Sequence, residues 1–322
     1  MSNKIKPLIS IVGPTASGKT ELAVSVALKF NGEIVSADSM QIYKEFNIST
    51  AKPTFEQMNK VKHHLINILS VNEEFSVGKF KTLADECIEK IYYENKIPFL
   101  VGGTGLYVNS VLKNTSYGLF DKSLKNSNLN IDELDNISLM EILKKVDPVS
   151  AKNIHINDSK RIKRALEFFY AAGYPISVQV ENSHKTPPLY ETCKIGLNFK
   201  NREILYDRIN KRVDNMIEQG LVEEVKNISL INPAKTAASA IGYKELLDFI
   251  NGNCSLSDSL EKIKQSTRRY AKRQLTWFRR DKEIQWIYCD EFSNFSDITE
   301  KACDIINKFL TDLKDKYEKS EN

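Results

Sequence analysis

The chain is predicted to be an α/β protein: a parallel sheet with crossover helices, carrying a phosphate-binding loop and a small helical insertion. Three observations lead there. Short apolar runs rich in β-branched residues, at Leu8–Val12, Glu33–Ser36 and Ile97–Val101, alternate with stretches of helical periodicity. The first run feeds directly into GPTASGKT at Gly13–Thr20, which fits the pattern G-x-x-x-x-G-K-[ST] at every fixed position. From Tyr117 the character changes, first to a polar stretch and then to helical patterns, before strand-like sequence returns.

Taken in order, Leu8–Val12 reads as a buried strand and Lys19–Phe30 as a helix, broken by Gly32. Glu33–Ser36 is a second strand, ending at Ala37-Asp38-Ser39. Phe75–Asn95 repeats Phe80, Leu83, Ala84, Cys87, Ile88 and Ile91 at helical spacing. Ile97–Val101 is another buried strand, closed by Gly102-Gly103-Thr104-Gly105. Residues 118–136 are rich in Asn, Ser and Asp and read as a loosely packed excursion. Helical patterns follow at Leu139–Lys144 and Ser159–Ala172, the latter stopped by Gly173. Thr192–Phe199 returns as a strand. Helices are then predicted at Arg202–Glu218, Leu221–Leu230, Tyr243–Ile250 and Ser257–Arg280, with a last strand at Ile284–Tyr288 and a terminal helix. Domain boundaries fall at 1–116 and 191–322 for the two parts of the core, and 117–190 for the insertion.

Composition narrows the class. Hydrophobic residues make up 41% of the chain and charged residues 27%, as in ordinary folded soluble proteins. No stretch approaches the roughly 20 apolar residues of a membrane helix. LISIVG runs straight into the phosphate loop, so the N-terminus reads as a first strand, not a signal peptide, and a cytoplasmic protein is expected. Cys87, Cys193, Cys254, Cys289 and Cys303 are scattered and odd in number, which argues against a disulfide framework or a zinc site. His63, His64, His155 and His184 show no metal-ligand spacing either.

In the phosphate loop the glycines let successive amides point inward, and the following helix adds a positive end. Lys19 supplies a point charge for terminal phosphates, and the Thr20 hydroxyl is placed to ligate Mg²⁺. ATPases of this kind usually carry a strand ending in Asp; Ile97–Val101 ends in Gly102-Gly103-Thr104 instead, which leaves room for a different diphosphate chemistry. Asp38 ends the second strand, on the side where open α/β sheets bind ligands. It is either a general base or a turn residue, and position alone does not choose between them. The net charge of +4 says little, but Lys262–Lys282 concentrates Lys264, Arg268, Arg269, Lys272, Arg273, Arg279 and Arg280 against Asp281 alone. Arg269, Lys272 and Arg273 share one helix face suited to backbone phosphates; a solvated helix face is the alternative.

GPTASGKT, ADSMQIYKEFNISTAKP, HHLINI, PFLVGGTGLYVNSVL, HINDSKRIKRALEFF, AASAIGYKEL and TRRYAKRQLTWFR occur in the order seen in tRNA dimethylallyltransferases, and the chain resembles that family from about Pro7 to Trp286. The resemblance implies transfer of the dimethylallyl group of dimethylallyl diphosphate to the exocyclic amine of the adenine 3′ of the anticodon, with release of diphosphate. It implies that Gly13, Pro14, Thr15, Ala16, Ser17, Gly18, Lys19 and Thr20 hold the diphosphate, with Mg²⁺ as cofactor, and that Asp38 takes the amine proton. One of Arg208 and Arg212 would meet the diphosphate; a helix-surface salt bridge to an acidic neighbour is the alternative. Asp38, Ser39, Met40, Gln41 and Thr104 would contact the target nucleotide. The second tRNA segment would be Lys160, Arg161, Ile162, Lys163 and Arg164, and the basic helix would add Arg268, Arg269, Lys272 and Arg273. Some members have Gln where Lys160 stands, which trades amide readout for charge. The segment 118–136, which matches part of the family's helical domain over the anticodon stem, contains no Arg. A monomer is expected. Two rival readings are a small-molecule kinase and a prenyltransferase acting on free adenine nucleotides.

Overall fold

Alternate residues of the first strand enter two different cores. Leu8 and Val12 pack on one face of the sheet, and Ile9 and Ile11 on the other, all at most 1% exposed. A strand buried on both faces is what a parallel sheet between helical layers demands. The computed structural model describes residues 6–115 and 131–321, which divide into two compact units: residues up to Leu112 with Leu189 onward, and Lys113–Pro188.

The larger unit begins with β1 (Pro7–Val12), α1 (Lys19–Lys29), β2 (Gly32–Ser36), α2 (Phe55–Lys60), β3 (His63–His64), α3 (Val77–Tyr93), β4 (Ile97–Gly102) and α4 (Gly105–Leu112). The smaller unit supplies α5 (Asn136–Val146), α6 (Pro148–Asn153), α7 (Ser159–Ala172) and α8 (Ile176–Lys185). The larger unit resumes with β5 (Glu191–Asn198), α9 (Arg202–Glu218), α10 (Leu221–Leu230), α11 (Tyr243–Ile250), α12 (Leu256–Phe278), β6 (Gln285–Tyr288) and α13 (Phe295–Glu321). The strands pair in parallel in the order β3-β2-β4-β1-β5-β6. Val12 lies opposite Gly102 of β4 and Gly196 of β5, so β1 sits at the centre and its carboxyl end opens between two neighbours.

One face is covered by α1 and α13, through Leu22, Ala23, Val26, Ile298 and Ile306. The other is covered by α3 and α4, where Phe80 stacks on Tyr107 with ring centroids 4.3 Å apart. Cutting Ile9 or Ile11 back to Ala would cost about 2–5 kcal/mol, the usual range for a closely packed core. No helix among the described residues is long and apolar enough to cross a membrane.

The smaller unit has its own core of Leu139, Met140, Leu143, Ile162, Ala165 and Leu166. Asp147, fully buried, joins two of its helices. Its carboxylate accepts the Ser150 amide and hydroxyl at 3.0 and 2.7 Å and the Ser177 amide at 3.0 Å, which outweigh burial and hold its pKa low. Most of the Arg-free stretch 118–136 lies outside the described residues; its end forms a single turn at Ile131–Glu133 and the start of α5.

Five elements were not anticipated. Helices α2 and α6 are six residues each and β3 is two, too short for a period to register. Helix α4 follows a Gly-rich turn that reads as loop, and α8 is polar around most of its circumference.

Candidate active site

The carboxyl ends of β1, β2 and β4 deliver three chain reversals to one edge of the sheet. After β1, Gly13 passes so close to β5 that a Cβ there would lie 2.5 Å from the Leu197 carbonyl oxygen. Ala16 and Gly18 then adopt left-handed backbone, φ 63° and 92°, which curls the loop into an anion-binding concavity at the start of α1. Lys19 donates its Nζ proton to the Pro14 carbonyl at 2.6 Å. Burial pulls its pKa down to about 7; the Arg212 charge adds to this, and Asp38 opposes it. The loop therefore holds a cation whose charge an arriving anion would restore. The Ser17 hydroxyl is buried without a partner among the described residues.

After β2, the Ala37 amide donates to Val101 at 2.7 Å, and its carbonyl accepts the Thr104 amide at 3.2 Å. This lashes the second and third reversals together. Asp38 Oδ1 accepts the Met40 amide at 2.9 Å and the Gln41 amide at 3.4 Å. Asp38 also lines a cavity of roughly 530 Å³ above the phosphate loop. One carboxylate oxygen holds the turn, while the residue still lines the cavity. The Ser39 amide donates to Thr104 Oγ1 at 3.1 Å, and the Gln41 side-chain Nε2 donates to the Thr50 carbonyl at 3.4 Å.

Thr15, Ala16, Ser17, Gly18, Lys19, Thr20, Asp38, Gln41, Arg208 and Arg212 all face this cavity. The two arginines come from one side of α9 and line the cavity, where the Asp38 charge acts on Arg212. Arg208 Nε donates to the Ala16 carbonyl at 2.9 Å with its guanidinium 5.5 Å from the Phe199 ring centroid, which braces the loop from outside. Arg212 lies deeper, reaching the Thr50 carbonyl at 3.4 Å.

Some expected residues stand elsewhere. Gly13 and Pro14 are buried beneath the loop and do not line the cavity. Met40 packs against the hydrophobic core, so its side chain supports the turn and does not face the cavity. Ile162 is fully buried in the smaller unit's core, which removes its side chain from any nucleic-acid surface. Around it, Lys160, Arg161 and Arg164 are exposed; Arg161 pairs with Asp158 at 3.3 Å and Lys163 with Asp132 at 3.1 Å. On α12, Arg268 departs from the basic stripe: it bonds Asn210 at 2.7 Å and Glu261 at 2.8 Å, which turns it toward α9. Arg269, Lys272 and Arg273 remain exposed on one face.

The sequence reading missed Tyr270 and Gln274, which α12 turns into the cavity, and Lys52, whose Nζ is held by the Tyr43 carbonyl at 2.5 Å. All three lie inside the segments ADSMQIYKEFNISTAKP and TRRYAKRQLTWFR that carry the resemblance, and the i, i+4 spacing of Tyr270 and Gln274 puts them on one helix face. No cluster of three or more His, Cys, Asp or Glu residues suited to a metal exists among the described residues.

The Gly13–Thr20 loop and the Asp38 carboxylate thus meet at one cavity on the carboxyl edge of a parallel sheet, with two arginines in its wall. The IPP transferase family model matches residues 41–281, and the chain belongs to that family. It is 48% identical over 298 residues to a tRNA dimethylallyltransferase of Thermoanaerobacter sp. (strain X514), covering 90% of this chain and 94% of the relative. A tRNA dimethylallyltransferase of Bacillus pumilus is 43% identical over 306 residues, covering 94% and 95%. Among solved structures, a tRNA isopentenylpyrophosphate transferase of Bacillus halodurans aligns with a TM-score of 0.73 at 38% identity, covering 97% of this chain and 99% of that one. A eukaryotic dimethylallyltransferase acting on tRNA aligns with a TM-score of 0.79 at 30% identity, covering 95% and 80%.

Proposed function

We propose that the protein transfers the dimethylallyl group of dimethylallyl diphosphate to the exocyclic amine of the adenine 3′-adjacent to the tRNA anticodon, releasing diphosphate. The observation that carries this reading is the single cavity shared by the phosphate loop and Asp38. An adenine amine is a poor nucleophile and needs two aids, a neutralised leaving group and a positioned base. The loop amides, Lys19 and Arg212 supply the first. The Asp38 carboxylate supplies the second, accepting the proton as the new carbon–nitrogen bond forms and the carbon–oxygen bond to diphosphate breaks. Arg208 keeps the loop in shape through Ala16.

The donor set suits Mg²⁺. Among the described residues the Thr20 hydroxyl is at hand and no carboxylate cluster is, so Mg²⁺ there would draw its remaining ligands from diphosphate and water. When bound, Mg²⁺ supplies positive charge at the leaving group. Asp38, Ser39, Gln41 and Thr104 form the acceptor side, tied together through the Ser39–Thr104 bond. Arg269, Lys272 and Arg273 meet tRNA backbone phosphates. The smaller unit, with Lys160, Arg161, Lys163 and Arg164, lies over the anticodon stem. The protein works as a cytoplasmic monomer.

Incubation with labelled dimethylallyl diphosphate and Mg²⁺, with either unmodified tRNA or AMP as acceptor, tests the reading. Label in tRNA alone supports it; label in AMP alone moves the protein to free-nucleotide prenylation. ATP turnover without tRNA, and no prenyl transfer, would mark a kinase.

A further inference from the structure

Helix α12 does more than present cations to solvent. Its Gln274, 5% exposed, projects between two of the chain reversals that build the site. Oε1 accepts the amide proton of Thr15 in the phosphate loop at 2.8 Å, and Nε2 donates to the Gly103 carbonyl at 3.0 Å. The fit leaves no slack: a Cβ on Gly103 would lie 2.1 Å from Nε2. That gives a physical reason for glycine here which owes nothing to backbone conformation. Gly103 precedes Thr104, whose hydroxyl receives the Ser39 amide next to Asp38. One turn earlier, Tyr270 lines the same cavity.

We infer that Gln274 is a positioning residue that sets the distance between the diphosphate grip and the acceptor side. Both ends of its amide are used, and each end holds a different half of the chemistry. The β1–β4 ladder ends at Val12 and Gly102; beyond it no backbone hydrogen bond joins Thr15 to Gly103, and this side chain spans the two reversals. A strut matters to rate because a displacement reaction depends steeply on the separation of nucleophile and leaving group. It matters less to the binding of either substrate alone. Because Gln274 stands on the helix that carries Arg269, Lys272 and Arg273, any shift of that helix on tRNA contact reaches the phosphate loop through it.

The inference rests on the prenyl-transfer reading, and the test separates the two. Gln274→Met keeps the volume and removes both hydrogen bonds. Single-turnover transfer to tRNA is then measured beside equilibrium binding of dimethylallyl diphosphate and of tRNA, and beside thermal stability. The expected result is a rate lower by about 10- to 100-fold, with both binding constants within about threefold of the unchanged protein. Gln274→Asn keeps the amide but is one methylene too short to span the gap; it serves if the methionine variant does not fold, and the same split is expected. Combined with Thr104→Val, the losses should not multiply, since both changes release the same turn. A lowered melting temperature with an unchanged rate in the folded fraction would overturn the strut and leave only a packing role. Losses that multiply would overturn it as well. If the unsubstituted protein transfers no prenyl group, the functional reading falls, and the inference with it.

Discussion

Replacing Asp38 with Asn separates the turn bonds seen in the structure from the proposed general-base role. Oδ1 holds the turn through the Met40 and Gln41 amides, and asparagine retains an oxygen there. The fold should therefore lose only a few tenths of a kcal/mol, since Asn caps about as well as Asp. The amide cannot accept the proton of the attacking amine. Loss of a general base costs about 10²- to 10⁴-fold in rate, or roughly 2.7–5.4 kcal/mol of transition-state stabilisation at 1.36 kcal/mol per tenfold. Asp38→Ala should add about 0.5–2 kcal/mol of lost stability, because the two amides then lose their acceptor. The assay is single-turnover transfer at two Mg²⁺ concentrations, with tRNA and dimethylallyl diphosphate binding measured separately. Near-normal binding with a slow, Mg²⁺-independent rate fits the base. A silent substitution would refute the reasoning, and recovery at high Mg²⁺ would instead make Asp38 a metal ligand.

Other outcomes follow from the same geometry. Lys19, whose pKa burial lowers to about 7, should take up a proton when diphosphate binds. Affinity should then weaken by up to about tenfold per pH unit above 7, as calorimetry in buffers of different ionisation enthalpy would detect, and Lys19→Ala should weaken binding and abolish that slope. Reversing Arg269 and Arg273 to Glu should weaken tRNA binding and flatten its log–log salt dependence by about 1–2 units, leaving dimethylallyl diphosphate affinity unchanged; a normal salt slope would return this helix face to solvent. At the opposite end of the sheet, Glu33, 3% exposed, meets Lys96 at 2.6 Å, His64 at 2.7 Å and Lys62 at 3.3 Å. Burial raises its pKa, but these partners outweigh burial and bring it down to about 2. Its stabilisation is complete above the ordinary carboxylate range and is lost as pH falls toward 2. Glu33→Gln should thus destabilise by about 1–3 kcal/mol near pH 7, limited by the solvent access of its lysines, with the difference closing below about pH 4.5. Denaturant unfolding at several pH values checks it.

The parts of the site that the sequence displays are the contiguous ones. Gly13–Thr20 is one unbroken loop with its fixed glycines and Lys-Thr side by side, so one pattern reveals it. Asp38 and Thr104 were reachable because strand ends can be found from apolar runs, and parallel sheets bind ligands at those ends. The strut was not reachable: Gln274 and Thr15 are 259 residues apart, and only the packing of α12 against α4 and α9 brings them together. Arg268 shows the same limit in reverse. Charge density placed it on the basic stripe, whereas Asn210 and Glu261 draw it to α9. Ile162 sat inside a basic segment whose helical period, read for burial, already sets it on the inner face beside Ala165 and Leu166. Motif reading assigns segments, and a helix divides a segment between solvent and core.

Nucleoside analysis of tRNA after reaction puts the whole reading to one test. Unmodified tRNA bearing adenine 3′ of the anticodon is incubated with labelled dimethylallyl diphosphate, Mg²⁺ and the protein, then digested to nucleosides. The label should appear in adenosine alkylated on its exocyclic amine, in step with diphosphate release, and should vanish when that adenine is replaced by a purine without the amine. Label elsewhere in the tRNA, or diphosphate release without any modified adenosine, would contradict the pairing of phosphate loop and Asp38 across a single cavity.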